Sequence, residues 1–310
     1  MRHLFSVIFL TLIVSVSCSQ KVKVTENIFA GTDRRPAQIL SYSLSDNGHF
    51  SIRFSERVVI TETVHDGKRR KTNIVGESFS LPLEREITMG EKYTLALTYE
   101  KNGGNTAFCF FTLYGRNDRK ASLLINEVSM KGDKTNPDRI ELLVTAGGNT
   151  AGFVLTDEIG TSPVVLPSIE VQKGDMIVVY WETTSGKTTK ERKNSLHTYY
   201  IDGGVYHTLI STTGGVVLYD ENGGDIVDAI IYSDFTSAST SKEKYNEMVS
   251  LLSEKEQWTG SAVDSTDVRT TRVLARMPGG TDTNSADDWF VTAVKKATWG
   301  EENIYAPYVE

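Results

Sequence analysis

Apolar and polar residues alternate over short stretches many times along this chain, and turn-forming residues separate the stretches. Phe50, Ile52 and Phe54 alternate with Ser51 and Arg53. Tyr93, Leu95, Leu97 and Tyr99 alternate with Thr94, Ala96 and Thr98, and Ile140, Leu142 and Val144 repeat the pattern. A period of two over such lengths is a strand with one buried face. Asp46-Asn47-Gly48, His65-Asp66-Gly67, Asn102-Gly103-Gly104-Asn105 and Asn222-Gly223-Gly224 supply residues that tolerate positive φ between strands. Met176 to Trp181 is a continuous apolar run suited to an inner strand. These features predict an all-β chain, and 310 residues are enough for two sandwiches with buried cores.

One segment breaks the strand pattern. Thr240 and Glu243 form a capping box, and Tyr245, Met248, Val249 and Leu252 recur at helical spacing, so an amphipathic helix is expected from Ser241 to about Lys255. Arg272 to Arg276 reads as a short strand. Gly115 to Ala121 is a polar link that separates a first unit, residues 36–114, from a second, residues 122–233. Residues 234–310 are expected to pack on the second unit as an appendage without a fold of their own.

The second unit opens with Leu124-Ile125-Asn126-Glu127-Val128, continues through Arg139-Ile140-Glu141-Leu142 and Gly152-Phe153-Val154-Leu155-Thr156-Asp157, and ends with Gly214 to Tyr232. In order and spacing these phrases resemble the lamin-tail domain, an immunoglobulin-like β-sandwich. Arg139 stands where an aromatic residue is common in that family, and Phe153 where a Trp is usual. Asp282 to Trp289 and Ala297-Thr298-Trp299-Gly300-Glu301-Glu302-Asn303 resemble the closing segment that trails bacterial members. In the first unit, Ser51 to Val58, Met89 to Leu95 and Gly104-Asn105 resemble the bacterial immunoglobulin-like family. The resemblances imply two Ig-like β-sandwiches in tandem with a helix-containing C-terminal appendage.

The N-terminus reads as an export signal of residues 1–17: Arg2, an apolar run from Leu4 to Val16, and small residues before Cys18. Cys18 sits where a bacterial lipoprotein carries its lipid, although Ser15 replaces the leucine of the usual lipobox. Cleavage after Ser17 as an ordinary secretory signal satisfies the same pattern. Residues 18–35 would tether the anchor to the first unit. The other cysteine, Cys109, lies in an apolar strand, so the fold must stand without an intrachain disulfide. The expected setting is the bacterial cell envelope, at the outer membrane, facing the periplasm or the surface.

A formal charge of −7 argues against general affinity for nucleic acid. Two stretches read as basic loops able to hold a polyanion: Lys68, Arg69, Arg70 and Lys71, and Lys187, Lys190, Arg192 and Lys193. Solvation of the surface explains such runs equally. Asp282, Asn284, Asp287 and Asp288 form an oxygen-rich cluster for Ca2+, and Asp220, Asn222, Asp225 and Asp228 a weaker one; neither has EF-hand spacing, and turns favour the same residues. Ser185-Gly186-Lys187-Thr188 lacks the upstream glycine and the following helix of a phosphate-binding loop. His49, His65, His197 and His207 show no metal-ligand spacing and read as exposed by default. Glu127 and Glu141 are expected to meet backbone groups. No catalytic residue is identified. The sequence therefore predicts an anchored, non-catalytic binding or scaffold module with an envelope protein or glycan as partner. The alternatives are an accessory module of an envelope nuclease or hydrolase, and a carbohydrate- or polyanion-binding protein marked by tryptophans in line on one sheet face.

Overall fold

The computed structural model describes residues 11–14, 22–26, 36–46, 48–101, 106–158, 160, 162–182, 189–193, 196–221, 224–237 and 243–310. Cys18, Lys187, the segment 185–188, Asn222 and the helix-capping Thr240 lie outside the described residues. The chain divides into two units, Met1–Asn117 and Asp118–Glu310, at the expected link.

The first unit contains β1 (Thr11–Val14), β2 (Val22–Glu26), β3 (Ile39–Asp46), β4 (His49–His65), β5 (Lys68–Pro82), β6 (Lys92–Lys101) and β7 (Thr106–Tyr114). β1 falls in the apolar run expected to be an export signal and pairs with β2, which pairs with β7. The first half of β4 pairs with β3 and the end of β5, and its second half with β6 and the start of β5. Its register with β5 shifts between Arg53 and Val58, an irregularity in an otherwise antiparallel ladder. The sheet thereby folds back on itself: Phe50 meets Phe111 of β7, and Phe54 meets Tyr99 of β6, each with ring centroids 4.7 Å apart. The alternating residues seen in the sequence form this core, with Cys109 fully buried in it and its thiol unpaired.

The second unit contains β8 (Ser122–Ser129), β9 (Arg139–Ala146), β10 (Gly148–Asn149), β11 (Val154–Asp157), β12 (Val164–Val165), β13 (Glu170–Val171), β14 (Met176–Tyr180), β15 (Thr189–Lys193), β16 (Leu196–Asp202), β17 (Thr213–Tyr219) and β18 (Ile226–Ser233). After these come α1 (Glu243–Glu254), β19 (Val263–Asp264), β20 (Leu274–Arg276) and β21 (Trp289–Val291). One sheet runs β12-β11-β17-β18-β19 and the other β15-β16-β14-β9-β8-β20-β21. Ile125, Leu142, Ile177, Val179 and Trp181 of the second meet Leu155, Val216, Leu218 and Ile230 of the first in one core.

Residues 234–310 do more than pack on this sandwich. β19 extends one sheet beside β18, and β20 and β21 extend the other beside β8. β20 is the strand expected at Arg272 to Arg276, but β19 and β21 are too short to carry a periodic signal, and the β8 partner of β20 lies more than a hundred residues upstream. The helix is as expected: Met248 and Leu252 are buried, and α1 packs on β17. Gly215 allows that approach, because a Cβ there would lie 2.7 Å from Met248 Sδ and 2.7 Å from the Ile230 carbonyl oxygen. Full burial of each apolar side chain stabilises the contact by roughly 1.5–3 kcal/mol.

Candidate functional site

On the face of β9 turned away from the core stand Arg139, Glu141 and Leu143, since the core takes Ile140, Leu142 and Val144. Glu127 of β8 pairs with Glu141 across a bulge at Asn126. Two neighbouring carboxyls, both fully buried, require donors and a covering segment. The C-terminal segment 298–303 supplies both. The Thr298 N–H donates to Glu127 Oε1 at 2.8 Å, and the Gly300 N–H donates to Glu141 Oε2. Asn126 Nδ2 donates to Glu141 Oε1 at 2.8 Å and to Asn303 Oδ1 at 3.0 Å, while Asn303 Nδ2 reaches the Arg276 carbonyl at 2.7 Å. Trp299 lies under the Arg139 guanidinium, 4.5 Å from the ring centroid. Gly300 adopts φ +79°, and a Cβ there would sit 2.8 Å from Thr198 Oγ1, so glycine alone fits.

Burial pushes Glu127 up to about 7, against the pull of the Thr298 donors and Arg139. It pushes Glu141 up to about 8, with repulsion from Glu127 acting in the same direction. The geometry independently calls for a proton. Thr298 Oγ1 lies 2.7 Å from Glu127 Oε1 and 2.9 Å from Asn303 Oδ1, and its single hydrogen can serve one of them. A proton on Glu127 satisfies the other contact.

A groove of about 700 Å3 opens beside this clamp. Leu143, Met176 and Leu196 lie along its floor, Lys173 and Gly174 stand at one end, and Gly300 to Asn303 at the other. The strand register sets that order. Leu143 pairs with Met176, and Glu141, which holds Gly300, pairs with Val178 two residues further from the Lys173 turn.

A second buried charge system lies behind β8. Arg276 Nη2 meets Asp228 Oδ2 at 2.6 Å with both side chains 1% exposed, Arg276 Nε donates to the Ile125 carbonyl, and the Ile125 N–H donates to Asp228 Oδ2. Burial pushes Asp228 up to about 6 although Arg276 pulls it down. Trp289 stacks on the same guanidinium at 4.7 Å.

The expected sites distribute differently. Lys68 to Lys71 are in β5, not in a loop, and Arg69 and Arg70 pair with Glu62 at 3.3 Å and Glu84 at 2.6 Å. Lys190 is likewise in a strand, β15, over the Tyr199 ring; Arg192 and Lys193 belong to the same strand. Asp282 accepts from Arg276 at 3.2 Å. Asp288 is buried and accepts from the Thr283 N–H and hydroxyl and from the Ser285 N–H, while the Ser285 hydroxyl caps the 3-10 turn by accepting from the Asp287 N–H. Asn284 Nδ2 donates to the Glu256 carbonyl. Among the described residues no group of three or more His, Cys, Asp or Glu side chains is placed to hold a metal. Of the hairpin acids, Asp220 pairs with Lys120 at 2.6 Å, and Asp228 belongs to Arg276. His65 is buried rather than exposed, between the Tyr93 hydroxyl and Thr63, and burial lowers its pKa. Trp181, Trp258 and Trp289 are buried, so these three form no exposed line. Glu127 and Glu141 do meet backbone groups, and the donors come from the far end of the chain.

The fold and the clamp define a two-sheet β-sandwich closed by its own C-terminal segment. The chain belongs to the family whose model is labelled TP_1001_2nd and described as a protein second domain, which matches residues 121–291, from the start of β8 to the end of β21. No curated protein and no solved structure matches it.

Proposed function

We propose that the protein is anchored at the bacterial cell envelope through lipid on Cys18 and acts there as a non-catalytic binding module of the lamin-tail type. The observation that carries the reading is the groove between the Lys173 turn and the C-terminal strap. Its strap wall is held by buried carboxyls whose acceptor atoms are taken up by that strap and by Asn126, an arrangement suited to shaping a surface and not to attacking a substrate. A fatty-acid analogue fed to cells should label the wild type and leave Cys18→Ala unlabelled; label retained in the variant removes the anchor. A benzophenone side chain at Leu196, which is 40% exposed in the groove, should cross-link to a discrete envelope species. One at the exposed Val309, outside the groove, should not. Equal cross-linking at both positions overturns the groove.

A glycan-binding reading is favoured by one feature of the first unit. Phe108 and Phe110, 41% and 45% exposed, lie two residues apart on the outer face of β7 beside a depression of about 460 Å3. Rings so placed offer stacking faces for sugars. Phe110→Ala abolishing retention on an immobilised glycan, with the groove variants unaffected, would move the working surface there.

A further inference from the structure

Resting on the reading that the groove is the working surface, we propose that its occupant is an extended peptide in which an apolar residue lies between an acidic and a basic one. The volume of about 700 Å3 falls in the range of ligand clefts, roughly 300–1,000 Å3. The floor offers apolar contact through Leu143, Met176 and Leu196, and the last of these is substantially exposed. The ends carry opposite charge: Lys173 is exposed at one, and Glu301 and Glu302 are exposed at the other. Gly174, Gly279, Gly280 and Gly300 line the groove, and the Leu196, Leu143 and Thr198 side chains pack against Gly174, Gly280 and Gly300 respectively.

Each feature selects against another ligand class. A glycan needs an aromatic platform, and no Phe, Tyr or Trp lines the groove. Nucleic acid and other polyanions would be repelled at the strap end by two carboxylates. An acyl chain has no charge to match Lys173 at one end or Glu302 at the other. A peptide answers all of them. Its central side chain covers the floor, and its charges match the ends. The direction follows: the acidic residue faces Lys173 and the basic residue faces the strap.

The test uses the full chain and a fluorescein-labelled hexapeptide with one lysine, a central pair of leucines and one aspartate, read by anisotropy. Binding should saturate. Lys173→Glu and Glu302→Lys should each weaken it at least fivefold, and the doubly reversed protein should prefer a peptide with lysine and aspartate exchanged. Leu196→Gln should weaken both peptides. All three side chains are exposed, so the fold remains. Unchanged affinity in the charge variants overturns the proposal, as does no saturation by about 1 mM, where even a weak site of about −4 kcal/mol would respond. A chito-oligosaccharide binding in the groove while the peptide fails would overturn the peptide class and leave the binding module standing. If neither binds and Leu196 fails to cross-link in cells, both readings fall.

Discussion

Replacing both Glu127 and Glu141 with glutamine should flatten the pH dependence of the second unit's stability. In the folded protein both carboxyls sit above their ordinary range, about 7 and about 8, because they are buried beside each other under the C-terminal strap. A raised folded-state pKa on an acid means that the native state binds more protons than the unfolded chain between the ordinary carboxylate range and about pH 8. Stability is therefore fully present at acid pH and is lost as pH rises through the folded values. The contacts of Thr298 Oγ1 place at least one proton on the pair. One retained proton gives a slope of about 1.4 kcal/mol per pH unit, hence about 3 kcal/mol between pH 5 and pH 7. In a unit of this size that corresponds to a fall in Tm of roughly 6–12 °C. Glu158, pushed up to about 7, and Asp228, up to about 6, are raised by burial as well and add slope of the same sign. The double variant isolates the pair. Glutamine keeps the acceptor oxygens for the Thr298 and Gly300 N–H groups while removing the titration. Thermal melts at constant ionic strength from pH 5 to pH 8.5 should show the wild type falling more steeply, with the variant ahead at pH 8. Parallel curves would refute the assignment of a proton to the clamp.

Arg276→Ala should leave Asp228 buried without its counter-ion and cost about 3–5 kcal/mol, measured by urea unfolding. Arg276→Met together with Asp228→Leu should recover much of that loss. Gly215→Val should push α1 off β17 and destabilise by about 1–3 kcal/mol, and a wild-type midpoint would refute the close approach. Cys109→Ala should cost about 1 kcal/mol through a small void. Reductant should leave the melting curve of the wild type unchanged, because its thiol is unpaired.

What was legible in the sequence was whatever is periodic and half-buried. Phe50 to Phe54 and Tyr93 to Tyr99 announced their strands because one face enters a core, and Met248 with Leu252 announced the helix for the same reason. Lys68 to Lys71 gave no such signal. Neither face of that part of β5 is buried, so only pairing with β4 makes it a strand, and pairing leaves no trace in hydropathy. The clamp was half legible. The phrases holding Glu127, Glu141 and Thr298 to Asn303 each stood out, but nothing local says that residues 171 apart will meet. Two adjacent acids at strand positions otherwise apolar are the signal, since burying them demands a donor segment from elsewhere.

The placement of β20 beside β8 has a consequence for the order of events during synthesis. β8 is the first strand of its unit, yet one of its two neighbours in the sheet is made about 150 residues later, and the strap that seals its carboxyls later still. Until residues 274–303 are available, β8 keeps a bare edge and Glu127 and Glu141 have no cover. Contacts closed over such long loops form slowly. A nascent chain of this kind cannot complete its second sandwich until residue 303 has been made, so the earlier strands must wait, partly assembled, for a segment synthesised long after them.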